Sequence, residues 1–244
     1  MQPLKIADVI DYVETHIEEF HRSRIERLSK INLNELLRKK NPYLFKAKYL
    51  QNTREVVTKL AEAFLSSSEE TLFGDWMEGL AIFINGKVYE GKKSGIPGVD
   101  LEFDKDGIRY IVNIKSGPNW GNSSQIQKML EYFRAAKKTL RTSGSKMIIE
   151  AINGCCYGTD NTPDKGEYQK LCGQRFWDFI SGSENLYIDI IEPLGHRAKE
   201  SNEEFTSEYH FLLNRVSAEF AAQFCFSNGQ IDWERIVRLN SGKN

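Results

Sequence analysis

The sequence has few of the features that mark secreted, zinc-binding or membrane proteins. Only four cysteines occur in 244 residues, none with the CxxC spacing of a zinc site, and the adjacent Cys155 and Cys156 cannot easily bridge each other. No apolar run approaches membrane-spanning length, and the N-terminal residues lack a secretory pattern. These absences favour a reducing cytoplasm as the simplest location.

The sequence also lacks a charge excess of either sign. It has 33 Lys and Arg against 34 Asp and Glu, a formal net charge of −1, so any affinity for nucleic acid has to come from local patches. Histidine is scarce as well, and no clear base accompanies the cysteines, which makes a cysteine-nucleophile enzyme a poor explanation. The length allows one large domain or a core with a helical extension, and in either case a sizeable buried core.

One local basic patch stands out in residues 21–60, which hold eleven Lys and Arg against three acids. In its centre, a run of basic residues is interleaved with aromatic ones, a pattern that suits contacts with phosphate groups. The alternative is a solvated helical face. The lysines that we predict to contact DNA are Lys39, Lys40, Lys46 and Lys48.

Hydrophobic periodicity and turn residues divide the rest of the chain into alternating helices and strands. The helix that begins after the predicted capping loop 66–70 carries Glu78. The predicted helices cover 4–29, 53–65, 71–84, 125–141, 168–182 and 205–226, with a short one near Trp233; the predicted strands cover 87–90, 99–103, 108–115, 146–153 and 186–191.

The strands 99–103 and 108–115 are predicted to form a hairpin around the turn Asp104–Gly107. With Phe103 opposite Ile108, Asp100 lies opposite Ile111, and the side chains of Asp100, Asn113 and Lys115 share one face. A turn one residue longer or shorter would place them on opposite faces. A carboxylate, a neutral oxygen ligand and a lysine together are the parts of a metal-assisted phosphodiester hydrolase.

These residues resemble the PD-(D/E)XK nuclease motif: Pro97-Gly98-Val99-Asp100, twelve residues, then Asn113-Ile114-Lys115. Two departures are visible, since Gly98 and Val99 separate the proline from the aspartate and Asn113 replaces the usual acid. The order of the predicted elements, αβββαβ, matches the core of that superfamily. The resemblance therefore implies an α/β fold, a restriction-endonuclease-like mixed central sheet flanked by helices, with N- and C-terminal helical extensions. The predicted division is an N-terminal helical region 1–65 with the basic patch, a nuclease core 66–192 and a C-terminal helical region 193–244, and the three regions are expected to form one compact unit.

Within that superfamily, residues 40–190 are similar to type II restriction endonucleases, loosely those that cut interrupted GGNCC-type sites. The stretches that carry this likeness are 114–120 and 173–182. The resemblance implies Mg²⁺-dependent cleavage of double-stranded DNA by a homodimer, because a palindromic site mirrors twofold protein symmetry. It assigns the metal to Asp100, Asn113 and the Ile114 carbonyl, and catalysis to Asp100, Asn113, Lys115 and Glu78. The second carboxylate comes from either Glu78 or Glu102.

A polar, glycine-rich loop follows Lys115, and a second polar loop, 154–162, follows the next strand. Asn and Gln read adenine edges bidentately, and Ser binds bases or phosphate, so both loops are candidates for DNA contacts. The structural alternative for the first loop is a helix cap at Ser123 or Ser124. The predicted contacts are Ser116, Asn119, Trp120, Asn122, Ser123, Gln125 and Tyr157.

Two other functions stay open at the level of sequence. Asn113 removes a negative charge from the site, which fits a DNA-binding protein with an inactive nuclease fold. A structure-specific repair or recombination nuclease is the other alternative, although the two polar loops favour an enzyme that recognises a DNA sequence. The recognition site, the cleavage position and the number of metal ions do not follow from the sequence.

Overall fold

A computed structural model describes residues 2–142 and 147–243, and these residues form two compact units. The first unit contains the chain up to residue 17 together with residues 73–196. The second unit contains residues 18–72 and the chain from residue 197 onward. None of the helices in the described ranges combines the length and hydrophobicity that a membrane span requires. The predicted boundaries after residues 65 and 192 remain a prediction.

The described chain contains helices and short strands in the following order. The elements are α1 (Ile6–Ser29), α2 (Leu33–Lys39), α3 (Pro42–Ala47), α4 (Thr53–Tyr89), β1 (Lys92–Lys93), β2 (Leu101–Lys105), β3 (Ile108–Lys115), α5 (Ser123–Thr142), β4 (Ile148–Cys155), β5 (Gln169–Cys172), α6 (Gln174–Ser181), α7 (Leu186–Asp189), α8 (Ile191–Leu194), α9 (Ala198–Phe224) and α10 (Trp233–Ser241).

The first unit is built on a mixed sheet with the strand order β1-β2-β3-β4-β5. The pairs β1–β2 and β2–β3 are antiparallel, whereas β3–β4 and β4–β5 are parallel. The crossover from β3 to β4 runs through α5, because parallel neighbours need a long connection. The predicted αβββαβ order and the predicted fold class, a mixed sheet flanked by helices, are confirmed, with α4 as the first helix.

The two faces of this sheet are covered by different helices. Leu101, Val112 and Ile152 pack with buried residues of α1, α4 and α6. Ile111 and Ala151 pack with buried residues of α5 on the opposite face. Because strand side chains alternate, the residues two positions beyond Ile111 and Ala151 lie on the α5 face as well.

The hairpin has a tighter turn than the sequence predicted. Asp106 and Gly107 form a two-residue turn with φ of 52° and 77°, the left-handed geometry of a type I′ hairpin, for which Asp-Gly is a preferred pair. Phe103 therefore pairs with Tyr110, so the predicted register with Ile108 was wrong. The observed register differs from the predicted one by two residues. Because side chains alternate between the two faces, a shift of two leaves each side chain on its predicted face.

The predicted helices 53–65 and 71–84, the loop between them and most of the predicted strand 87–90 belong to a single helix, α4, which ends at Tyr89. The first strand of the sheet is instead β1. The serines that suggested a loop sit inside α4, and Ser67 and Thr71 direct their hydroxyls to the carbonyls of Ala63 and Ser67, at 3.2 and 3.0 Å. Serine has only a modest cost in a helix interior, and the buried apolar residues on both sides outweigh it.

The C-terminal part of the first unit also differs from prediction. The predicted helix 168–182 is the edge strand β5 followed by α6, and the two are separated by Gly173 at φ 54°. The predicted strand 186–191 falls in the short helices α7 and α8. Gly182 does end α6 in the left-handed conformation, as predicted, at φ 67°. The start of the predicted strand 146–153 lies outside the described residues, and the described strand continues to Cys155.

The second unit is helical and has its own apolar core. Buried residues of α2, α9 and α10 pack with those of the chain segments around Leu28 and Leu60. The amphipathic pattern predicted for the long C-terminal helix is present in α9, although that helix begins at Ala198 and ends at Phe224.

We expect Gly154→Ala to destabilise the first unit by about 1–3 kcal/mol, the usual cost of overpacking a core. A Cβ atom at residue 154 would lie 2.2 Å from the ring of Phe176, which is fully buried and cannot move aside. Urea denaturation measures the difference. The matched control is Gly95→Ala, where an added Cβ meets no atom within 4 Å; equal destabilisation by both variants would contradict the packing explanation.

Candidate active site

The Asp100 carboxylate is held in place by the strand that lies beside it. Its Oδ2 accepts a hydrogen bond from the Ile114 backbone N–H at 2.7 Å and another from Asn113 Nδ2 at 3.1 Å. The Asp100 backbone N–H donates to the Val112 carbonyl at 2.8 Å, which continues the β2–β3 pairing by one residue. Both donors to the side chain therefore converge on one oxygen, Oδ2.

Asn113 acts in this arrangement as a hydrogen-bond donor. Its side chain is 6% exposed, and Nδ2 also donates to the Gly98 carbonyl at 3.2 Å. Its Oδ1 is buried without a hydrogen-bond partner among the described residues. An Asp or Glu at this position could not donate to Asp100 and would repel it. The neutral side chain thus stabilises the Asp100 carboxylate in the absence of a metal.

Glu78 supplies a second carboxylate from α4. Burial raises its pKa above the ordinary value, and the charge of Asp100 raises it further, whereas Lys93 and Lys115 lower it. Lys93 Nζ lies 3.4 Å from Glu78 Oε1. The structure therefore brings Glu78 into the electrostatic range of Asp100 and Lys115, as the sequence predicted for one of two acids.

The other candidate acid, Glu102, is engaged elsewhere. Its Oε1 accepts a hydrogen bond from Ser94 Oγ at 2.5 Å, and its side chain lines a separate cleft of 480 Å³ with Arg109. The charge of Asp100 raises the pKa of Glu78, which makes Glu78 the better candidate of the two acids that the sequence left open.

Lys115 is the last residue of β3, and its ammonium lies 5.5 Å from the centroid of the Trp120 ring. A cation over an indole face is attracted by the ring quadrupole, which fixes the direction of an otherwise flexible side chain. The positive charge of Lys115 favours the ionised form of Glu78 and so lowers the pKa of that carboxyl group. The lysine therefore lies within electrostatic range of Glu78.

Cysteine chemistry is disfavoured here although Cys156 lies beside the site. Burial raises the pKa of the Cys156 thiol to about 12, and the negative charge of Glu78 adds to the effect. The thiolate is the nucleophilic form, so this thiol is unreactive at neutral pH. All four cysteines are free.

The loop after β3 is fixed by contacts that sequence reasoning missed. The Trp120 indole N–H donates to Asn153 Oδ1 at 3.1 Å, and Lys170 Nζ donates to the Pro118 carbonyl at 2.8 Å. A Cβ atom at Gly117 would lie 2.3 Å from the ring of Tyr157, so a larger residue there would require that ring to move. The signal that could have revealed Asn153 is a polar residue at the carboxyl end of an apolar parallel strand, where α/β proteins place their sites.

The predicted DNA contacts of the two loops have mixed positions. Tyr157 is 61% exposed, and Asn119 and Ser123 are exposed as well. Asn122 and Gln125 form a reciprocal cap on α5, in which each side chain accepts from the backbone N–H of the other at 3.0 and 2.9 Å. The N-cap residue is therefore Asn122 and not Ser123 or Ser124, because Asn122 Oδ1 accepts the backbone N–H of Gln125. Ser116 and Trp120 are half-buried beside Lys115.

The predicted basic contacts all lie in the second unit, on α2, α3 and their caps. Lys39 pairs with Glu35 at 2.6 Å, and Lys40 donates to the Ala63 carbonyl at 2.7 Å. Lys46 and Lys48 are exposed and contact the faces of aromatic rings. Lys39, Lys40 and Lys48 line a cleft of 600 Å³.

The donor set around Asp100 fits a hard divalent cation. Burial and the charge of Asp100 raise the pKa of Glu78, and a bound cation would favour its ionised form. The buried Oδ1 of Asn113 is a further oxygen that has no hydrogen-bond partner among the described residues. No cluster of three or more His, Cys, Asp or Glu suited to a metal occurs in residues 2–142 and 147–243, so protein carboxylates alone do not fill a coordination shell. Mg²⁺ tolerates this, since it keeps several waters and is often bound by one or two carboxylates and substrate phosphate.

Comparison with known families gives one result that covers most of the chain. The family model described as Type II restriction endonuclease EcoO109I matches residues 7–202. A search of curated proteins found no match. The matched residues include the whole hairpin, α4, α5 and both polar loops. The predicted resemblance to type II restriction endonucleases is confirmed.

We expect Glu78→Gln to raise the melting temperature of the metal-free protein at neutral pH. The folded state raises the pKa of Glu78, so its contribution to stability is fully present below the unfolded pKa and is lost as the pH rises through the folded pKa. Glutamine stays neutral, and the advantage of the variant should therefore grow between pH 4 and pH 8 in EDTA.

Thermal melts at several pH values test this expectation. Asp75→Asn, which replaces an exposed acid one turn earlier on α4, should leave the melting temperature unchanged. A melting temperature of Glu78→Gln below that of the wild type at pH 8 would show that the ionised carboxylate stabilises the fold.

Proposed function

This chain belongs to the family of the type II restriction endonuclease EcoO109I, and on that premise we propose that it hydrolyses double-stranded DNA at a short palindromic site with Mg²⁺ as cofactor. The family implies a nuclease that binds DNA. The observation that carries the proposal is the convergence of Asp100, Glu78 and Lys115 at one end of the β2–β3 hairpin. A carboxylate pair beside a lysine is the arrangement that metal-assisted phosphodiester hydrolysis requires.

Asp100 Oδ1, Glu78, the Ile114 carbonyl and Asn113 Oδ1 are the groups that would hold the cation. Bound Mg²⁺ would lower the pKa of water and neutralise charge on the scissile phosphate. The protein groups are preorganised for this role, because the two hydrogen bonds to Asp100 Oδ2 fix the direction of its other oxygen.

Lys115 would stabilise the negative charge that develops on the phosphate and orient the attacking water. Its side chain is directed by the Trp120 ring, so little conformational entropy is lost when DNA binds. Lys93, at 3.4 Å from Glu78, lowers the pKa of that carboxyl group and is a second cation at the edge of the site.

Two surfaces are proposed to contact DNA. Exposed Tyr157, Asn119 and Ser123 lie on the two loops that follow β3 and β4, so they are candidates for reading bases. Lys46 and Lys48 in the second unit carry exposed charges suited to backbone phosphates. Lys39 and Lys40 are held by other groups and would contribute less.

A palindromic site implies a homodimer with twofold symmetry. An interrupted GGNCC-type site is the proposed recognition sequence, on the likeness of residues 114–120 and 173–182. Four free cysteines are compatible with the proposed cytoplasmic location.

A second candidate function is DNA binding without cleavage, which Asn113 favours because it removes one negative charge from the metal site. The bonds of Asn113 to Asp100 and Gly98 would then serve only to stabilise the hairpin. The binder would retain DNA equally well with Mg²⁺ or EDTA and would never nick it.

We expect the purified protein to cut phage DNA into discrete fragments with Mg²⁺ and not with EDTA. Asp100→Ala and Lys115→Ala should each lower the cleavage rate by at least about 10²–10³, because each removes a group that stabilises transition-state charge. Both variants should still fold and shift a DNA fragment containing the site in Ca²⁺. The matched control is Lys92→Ala, which removes an exposed lysine from the edge strand β1 and should leave the rate unchanged.

The same gel separates the alternatives. A smear, or cleavage restricted to branched DNA, would favour a nonspecific or structure-specific nuclease. A mobility shift without cleavage would favour the DNA-binding function. Full activity of Asp100→Ala or Lys115→Ala would contradict the assignment of the site.

We expect Asn113→Asp to remain active and to depend more strongly on Mg²⁺ for stability. The new carboxylate loses the bonds to Asp100 and Gly98 and repels Asp100, so the melting temperature in EDTA should fall, and Mg²⁺ should raise it more than in the wild type. Asn113→Ala, which loses the same bonds without adding charge, is the control. An equal Mg²⁺ response of the two variants would rule out the charge explanation.

A further inference from the structure

Asn153 is a buried amide whose place in the fold is tied to the proposed active site. It is 1% exposed on β4 and is the register partner of Asn113 on β3. Both polar atoms of its side-chain amide are hydrogen-bonded: Oδ1 accepts from the Trp120 indole N–H at 3.1 Å, and Nδ2 donates to the Asn113 carbonyl at 3.4 Å. A buried amide is costly unless it is hydrogen-bonded, so these bonds define the orientation of the side chain.

Trp120 has two different roles at its edge and its face. The edge N–H is fixed by Asn153, and the apolar part of the ring packs against the residues around Ile111 and Met129 on the α5 face. The face of the same ring holds the Lys115 ammonium at 5.5 Å from its centroid. A rotation of the ring about its long axis would therefore move the surface on which the lysine rests.

We propose that Asn153 is a positioning residue that sets the direction of Lys115 through the Trp120 ring; this role rests on the proposed nuclease function. Asn153 joins two points that the reaction needs, the loop after β3 and the backbone of Asn113. Without its oxygen the indole N–H has no acceptor at this position, and the ring is free to turn.

A purely structural role for Asn153 makes a different prediction. If the amide only satisfied buried groups, its removal would lower the stability of the fold and leave the turnover of the folded enzyme intact. A positioning role lowers kcat at saturating DNA, leaves the KM for DNA nearly unchanged and makes Asn153 and Trp120 act as one unit.

The test is a double-mutant cycle of Asn153→Ala and Trp120→Phe on DNA cleavage with Mg²⁺, at a temperature where every variant is folded. Phenylalanine keeps the aromatic face and removes the N–H. We expect each single variant to lose about tenfold in kcat, with KM within about twofold of the wild-type value. The double variant should lose no more kcat than the less active of the two single variants. Met129→Ala, which removes a buried side chain from the same apolar cluster, is the control for lost packing and should keep the wild-type kcat.

A second measurement does not depend on activity. In the metal-free protein, the indole N–H resonance of Trp120, assigned by its absence in Trp120→Phe, should exchange slowly with solvent in the wild type and much faster in Asn153→Ala. Losses that multiply to about a hundredfold in the double variant, an unchanged kcat in either single variant, or unchanged indole exchange would each overturn the positioning role. Absence of cleavage by the wild type would overturn the proposed function and this role with it, whereas wild-type cleavage with multiplied losses would overturn this role alone.

Discussion

The clamp on the Asp100 carboxylate is the constraint on which the rest of the site depends. Two donors from β3, the Ile114 backbone N–H and Asn113 Nδ2, meet on one carboxylate oxygen. Both reach Asp100 only because the Asp106-Gly107 turn sets the pairing of β2 with β3. A slip of one residue would turn Asn113 to the other face and leave the carboxylate without its partners.

The electrostatics of the site follow from this clamp. Asn113 is neutral and donates a hydrogen bond to Asp100, the acid next to the hairpin strand. The acid whose pKa the surroundings raise is Glu78 on α4. Burial and Asp100 both oppose its ionisation, while Lys93 and Lys115 favour it. Ionisation of Glu78 is therefore unfavourable in the folded protein, and in the proposed function a bound cation would relieve this cost and so link stability to metal binding.

The α5 face of the sheet connects this site to its loops. Asn113 and Asn153 are neighbours across the parallel β3–β4 pair, and their positions at the carboxyl ends of the strands place the polar loops beside them. Gly117 against Tyr157 and Lys170 on the Pro118 carbonyl hold the first loop in a defined position. The loop is thus a packed part of the sheet edge, which suits a surface that has to match DNA.

The sequence by itself determined the αβββαβ order, the parallel β3–β4 pair, the Gly182 helix end and the common face of Asp100 and Asn113, because periodicity and turn residues are local signals. Tertiary structure decided the rest. Helix α4 runs through its serines because buried residues on both sides outweigh weak propensity, and β5 forms because Gln169–Cys172 can pair beside β4. The electrostatic effect of Asp100 on Glu78 and the bonds of Asn153 join residues far apart in the chain, and such contacts exist only in the folded structure.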